Sequence, residues 1–268
     1  MMIKQFWLFF IVFFISASNQ AQNITALNRL PSFTLTSPQL HLNKKIWVYL
    51  PYNYEKTHKR FPVLYMHDAQ NLFDDKTAYA GEWNVDEKLD SLKAEIIVIG
   101  IEHGNENRIT ELTPFKNEKY GGGNASNYVD FIVETLKPEI DSRYRTKSNR
   151  KNTLMMGSSL GGLVTLYSGL KYADIFGKLA VFSPSLWFSN KIFEAVSLSN
   201  KISSKIYLLS GDEEDDSMTT DSKKLESILI SQRGFNDKNL KKEIIKHGKH
   251  NEKLWRDNFV TALLWLGY

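Results

Sequence analysis

From residue 33 onward, short apolar runs alternate with polar, glycine-bearing turns along most of the chain. The runs at 63–67, 95–101, 153–157, 179–182, 205–210 and 242–246 are too short for helices and are bounded by turn residues, the pattern of buried strands. Between most of them apolar positions recur at helical period, which predicts helices over 85–93, 125–136, 159–170, 191–196, 222–231 and 254–265. Ahead of this series, 33–42 and 45–50 read as an antiparallel opening pair with Asn43–Lys44 as their turn. Strands that alternate with helices predict an α/β protein. Its sheet is mostly parallel, covered by helices on both faces and joined by right-handed crossovers.

The amino terminus departs from that pattern. Lys4 precedes the apolar run 6–15, and the small or polar residues 16–21 follow it. This is the layout of a secretory signal peptide, and the run is too short for a permanent span. The expected organisation is therefore a signal peptide over 1–21 and a single domain over 22–268, exported to the periplasm or beyond, with no stable membrane insertion after cleavage. The chain has no cysteine, which excludes a lipoprotein anchor and disulfides and leaves packing to hold the core. The formal charge of +4 is scattered among acids, with no basic stripe interleaved with aromatics, so nucleic acid is not an expected partner.

The candidate chemistry starts at Gly157-Ser158-Ser159-Leu160-Gly161, a G-x-S-x-G directly after an apolar strand and before a helical pattern. A serine hydroxyl becomes a useful nucleophile when a tight strand-to-helix turn thrusts it out beside a base and an amide-lined pocket. In that architecture the acid and then the histidine follow the serine in the chain. Downstream of Ser159 there are two histidines, His247 and His250. His250 lies in the polar loop 248–252 and is the better placed; His247 stands nearer the strand end. Before them runs one acidic cluster, Asp212 to Asp216, directly after the strand at 205–210, and spacing leaves the acid open among its five carboxylates. The cluster lacks the glycine and terminal glutamate of a calcium loop, so no metal is expected there. One oxyanion donor is the amide of Leu160, after the nucleophile. A second is expected from the turn after the strand 63–67. His67, at that strand end, reads as a packed, hydrogen-bonded histidine.

Four segments together carry a resemblance: Tyr65 to Asp74 (YMHDAQNLFD), Ile97 to Glu102 with Arg108 to Pro114, the serine motif, and Gly248 to Glu252 followed by Trp255. The chain resembles the esterase family of α/β hydrolases that includes enterochelin esterases, feruloyl and acetylxylan esterases, esterase D and mycolyltransferases. The resemblance spans roughly residues 45 to 268. It implies an α/β-hydrolase fold and a serine carboxylic-ester hydrolase that needs no metal or organic cofactor. It places the triad acid on Glu214, three residues after the turn glycine Gly211, with Asp212 and Asp215 as fallbacks. It also places the second oxyanion amide on Gln70, although Ala69 stands where many relatives carry glycine. Asp68, Arg108 in the long polar loop 102–124, and Trp187 are pocket candidates, with core packing as the competing reading for Trp187 and Phe188. The implied partner is a small-molecule or polysaccharide-linked ester, an acetyl or feruloyl carbohydrate ester or a siderophore lactone. A catalytically silent binding protein and an acyltransferase of the same fold are the alternatives.

Overall fold

The structure, a computed structural model, describes residues 30–199 and 201–268. The expected signal peptide at 1–21 lies outside the described residues. Eight strands form one sheet: β1 (Ser32–Ser37), β2 (Leu42–Tyr49), β3 (Val63–His67), β4 (Ile97–Ile101), β5 (Thr153–Ser158), β6 (Lys178–Phe182), β7 (Lys205–Gly211) and β8 (Leu240–Ile245). Their order is β1-β2-β4-β3-β5-β6-β7-β8. The β1–β2 and β2–β4 pairs are antiparallel, and every pair from β4 to β8 is parallel. The result is an α/β-hydrolase-type sheet with an antiparallel opening pair at one edge.

The opening hairpin turns earlier than the Asn43–Lys44 junction expected from sequence. Asn43 and Lys44 pair with Thr36 and Leu35 inside the ladder, and the turn occupies residues 38–41. Pro38 has no amide to give a ladder, and His41 takes the left-handed conformation at φ 55°, so these residues close the turn.

The apolar runs are continuous because both faces of the sheet are covered. Along β3, Val63 and Tyr65 enter one core while Leu64 and Met66 enter the other, and β4 alternates in the same way. The first core also takes α2 (Arg108–Leu112), α3 (Ala125–Asp130), α5 (Leu160–Lys171), α6 (Lys191–Leu198) and α7 (Met218–Arg233). The second takes α1 (Val85–Ser91) and α8 (Glu252–Leu266).

The helix predicted over 125–136 runs further. After α3 it passes through a π-helical stretch, Phe131–Leu136, into α4 (Lys137–Arg143). Pro138 has no N–H to return to the preceding turn, and the wider π turn sits just before it. α2 was not legible in sequence because it is five residues long and largely polar. Among the described residues no helix is long and apolar enough to cross a membrane.

Candidate active site

Ser159 sits between β5 and α5 with φ 58° and ψ −123°, a backbone state a side-chain-bearing residue enters only when its surroundings impose it. Two contacts impose it here. The Ser159 amide donates to the Phe182 carbonyl at 3.0 Å, fixing the turn to β6. Gly157 and Gly162 bring strand and helix so close that a Cβ on Gly157 would stand 2.6 Å from Gly161 backbone, and one on Gly162 2.5 Å from the Phe182 carbonyl oxygen.

The Ser159 hydroxyl is thereby presented to His250, whose Nε2 lies 3.0 Å from Oγ. The opposite ring nitrogen, Nδ1, lies 2.6 Å from Glu214 Oε2. A carboxylate against Nδ1 fixes the tautomer, leaving Nε2 free to accept the serine proton. The Glu214 side chain is fully buried beneath an imidazole that is 33 % exposed. Its other oxygen accepts from the Gly211 amide and from Ser183 Oγ at 2.7 Å. Ser183 in turn accepts from Trp255 Nε1 at 2.8 Å, and the Trp255 ring stands edge-on to His250 with centroids 5.0 Å apart. Three strand ends of the sheet, those of β5, β6 and β7, thus converge with the loop ahead of α8, at the carboxyl edge where open α/β sheets collect their sites.

The other carboxylates of the acidic run have different partners. Asp212 accepts from the His247 amide at 2.6 Å, and Glu213 pairs with His247 Nδ1 at 2.6 Å on the surface. Asp215 accepts from the amides of Ser217 and Met218, which caps the start of α7 and explains why that helix begins before the predicted residue 222. His247 is held by Glu213 and does not approach Ser159 by any hydrogen bond; the hydrogen bond and charge of Glu213 raise its pKa above the usual range.

Leu160 is the first residue of α5, so its amide has no acceptor within the helix. Gln70 lies in the single 3-10 turn Ala69–Asn71, which follows Asp68 at φ 56°. The hydrogen bonds of that turn begin at the Asn71 amide, so the Gln70 amide precedes them. The Gln70 side chain is engaged rather than idle. Its Nε2 donates to the His103 carbonyl and its Oε1 accepts from the His103 amide, both at 3.2 Å, tying the loop after β3 to the loop after β4.

The same two loops are joined a second time. Arg108 grips Asp68 with Nε and Nη2, each at 2.8 Å from a carboxylate oxygen. Burial pushes the Asp68 carboxyl up, but the Arg108 charge and hydrogen bonds outweigh it and hold the pKa below the ordinary range. Beneath them His67 is 3 % exposed, with Nδ1 2.9 Å from the Tyr128 hydroxyl. Burial lowers its pKa to about 4, so the ring is neutral at pH 7.

A cavity of about 430 Å³ opens over this edge, lined by Asp68, Asn71, Tyr79, Ala80, His103, Arg108, Ser158, Ser159, His250, Glu252 and Trp255. Asp68 and Arg108 both line it. Trp187 is not among its walls: it is 47 % exposed and stands edge-on to Tyr120, while Phe188 is buried in the core. A cleft at the opposite end of the sheet is lined by Lys93, Lys147, Lys151 and Lys178, but has no nucleophile–base pair. Ser183, Trp255, Tyr79 and His103 were not assigned to the site from sequence. Only the position of Ser183 at a strand end pointed toward it; the others required the fold.

A serine on a strand-to-helix elbow, facing a histidine and a carboxylate from later loops of a mostly parallel sheet, is the arrangement of an α/β hydrolase. The chain belongs to the esterase family: residues 37–266 match the family model described as "Putative esterase". A Bacillus subtilis (strain 168) protein described as "Uncharacterized protein YbbA" is 28 % identical over 239 residues, covering 84 % of this chain and 92 % of that one. The "Ferri-bacillibactin esterase BesA" of the same organism is 29 % identical over 170 residues, 56 % of this chain and 58 % of that one. Among solved structures, the BES protein from Bacillus cereus superposes with a TM-score of 0.73 at 22 % identity, over 95 % of this chain and all of that one.

Proposed function

We propose that this esterase works through serine, by two-step hydrolysis of a carboxylic ester. Ser159 Oγ attacks the ester carbonyl carbon as His250 Nε2 takes its proton. The C–O bond to the alcohol then breaks, with His250 returning that proton to the leaving oxygen. Water, deprotonated by the same nitrogen, attacks the acyl-serine and releases the acid. Glu214 holds the imidazole and stabilises its protonated form. The amides of Leu160 and Gln70 face the developing oxyanion. The observation that carries this reading is the unbroken relay from Ser159 Oγ through His250 to a buried Glu214.

The substrate we propose is an ester on a carbohydrate or siderophore scaffold, met outside the cytoplasm after removal of residues 1–21. A cavity of about 430 Å³ falls within the usual range for small-molecule sites, and the name of the relative BesA supports the siderophore branch. The test is labelling with a fluorophosphonate, with the adduct located by peptide mass spectrometry, followed by a panel of acetylated xylan, methyl ferulate and a catecholate trilactone. Labelling at Ser159 that disappears in Ser159→Ala supports the mechanism. Absence of labelling in a folded, ester-inert protein refutes it.

A further inference from the structure

Three carboxylates outside the active site converge where the loop after β3 enters α1. Glu82, Asp86 and Glu87 each bring an oxygen within 4.8 Å of the others. Glu82 is 8 % exposed and its Oε1 has no hydrogen-bond partner; Asp86 Oδ1 is likewise buried without one. Carboxylates in a first helical turn complement the peptide dipole, which accounts for Asp86 and Glu87 but not for a buried Glu82 turned to meet them. Among the described residues none of the three forms an ion pair. The adjacent arginine, Arg256, donates at 2.9 Å to the main-chain carbonyl of Glu82 and not to its carboxylate, which accepts from the Asp75 backbone but leaves Oε1 without a partner.

A buried carboxylate with one oxygen unsatisfied and no counter-charge is costly, and like charges gathered around it add to the cost. A cation removes both penalties. We infer that Glu82, Asp86 and Glu87 form a divalent-cation site, with calcium as its ion. The donors are all hard oxygens, the ligand type that calcium takes in a loose shell tolerant of irregular geometry. Magnesium demands shorter contacts and a stricter octahedron.

The position gives the site a consequence. Tyr79 and Ala80 line the cavity over Ser159 and lie three and two residues ahead of Glu82, and Trp83, next to it, stacks on Phe182 and packs at a tilt against Trp255. An ion clamped between Glu82 and α1 fixes the segment that forms this wall.

The test is calorimetric titration of the chelator-treated full chain with CaCl2, together with thermal unfolding in EDTA, CaCl2 and MgCl2. The expected result is one calcium bound per chain and a saturable rise in Tm that magnesium reproduces only weakly. Glu82→Gln and Asp86→Asn relieve repulsion, so each raises Tm in EDTA while weakening calcium binding at least tenfold. Asp212→Asn/Glu213→Gln, at the exposed cluster around His247, leaves calcium binding unchanged. No stoichiometric binding would overturn the inference, as would binding that survives Glu82→Gln or is lost in the Asp212/Glu213 variant. The readout is binding and stability, so it stands or fails independently of ester hydrolysis.

Discussion

His250 and Glu214 are joined at 2.6 Å through Nδ1 and Oε2, and the carboxylate is fully buried while the imidazole remains one-third exposed. The burial difference matters. A sheltered carboxylate keeps its hydrogen bonds and its orientation, and an open imidazole still faces the cavity.

Removing either end of the relay should abolish turnover without unfolding the chain. Ser159→Ala and His250→Ala are each expected to lower kcat by roughly a thousandfold or more, with Tm close to wild type. Steady-state kinetics on a short synthetic ester checks this.

The acidic run offers a discriminating series. Glu214→Gln should reduce kcat severely, whereas Asp212→Asn should leave it nearly intact. Asp215→Ala should preserve kcat but lose about 1 kcal/mol of stability, the usual cost of a helix cap. Urea unfolding beside kinetics separates the three, and a crippling Asp212→Asn would reassign the acid.

Ser183 holds the Glu214 carboxylate by donating to it while accepting from Trp255. A hydrogen bond to a charged group contributes about 1.5–3 kcal/mol, so Ser183→Ala should lower kcat by about tenfold or more. Threonine at this position keeps the hydroxyl and should restore part of the loss. Equal damage from Ser183→Ala and Ser183→Thr would point to packing instead.

His67 makes the fold acid-sensitive. Burial holds its imidazole down to about 4 from an ordinary 6.5; Asp68 pulls it up, and Arg108 and Lys44 add to the depression. Between those values the unfolded chain binds a proton that the folded chain refuses. The stabilisation associated with the neutral ring is therefore present in full above about 6.5 and lost progressively as pH falls toward 4. The urea midpoint of the wild type should drop between pH 7 and pH 5. His67→Gln should show a shallower drop, even if it starts lower.

Much of the fold was legible in the chain. Six parallel strands, their order with helices and the serine elbow follow from run length, periodicity and the G-x-S-x-G motif, because each is dictated within a window of about ten residues. The resemblance to the esterase family pointed to Glu214 among the five carboxylates that spacing alone left open. In the fold Glu214 alone of these five turns inward, under Gly211 and Ser183, a burial the sequence did not reveal. The hairpin turn at 38–41, the Arg108 grip on Asp68, the place of Trp187 outside the cavity and the meeting of Glu82 with Asp86 and Glu87 depend on partners brought close only by folding. Local pattern determines which segments are strand or helix, since that choice is made by neighbours in the chain. Which side chains share a proton, a charge or a cavity wall is decided by contacts between distant segments, and only the tertiary structure supplies those.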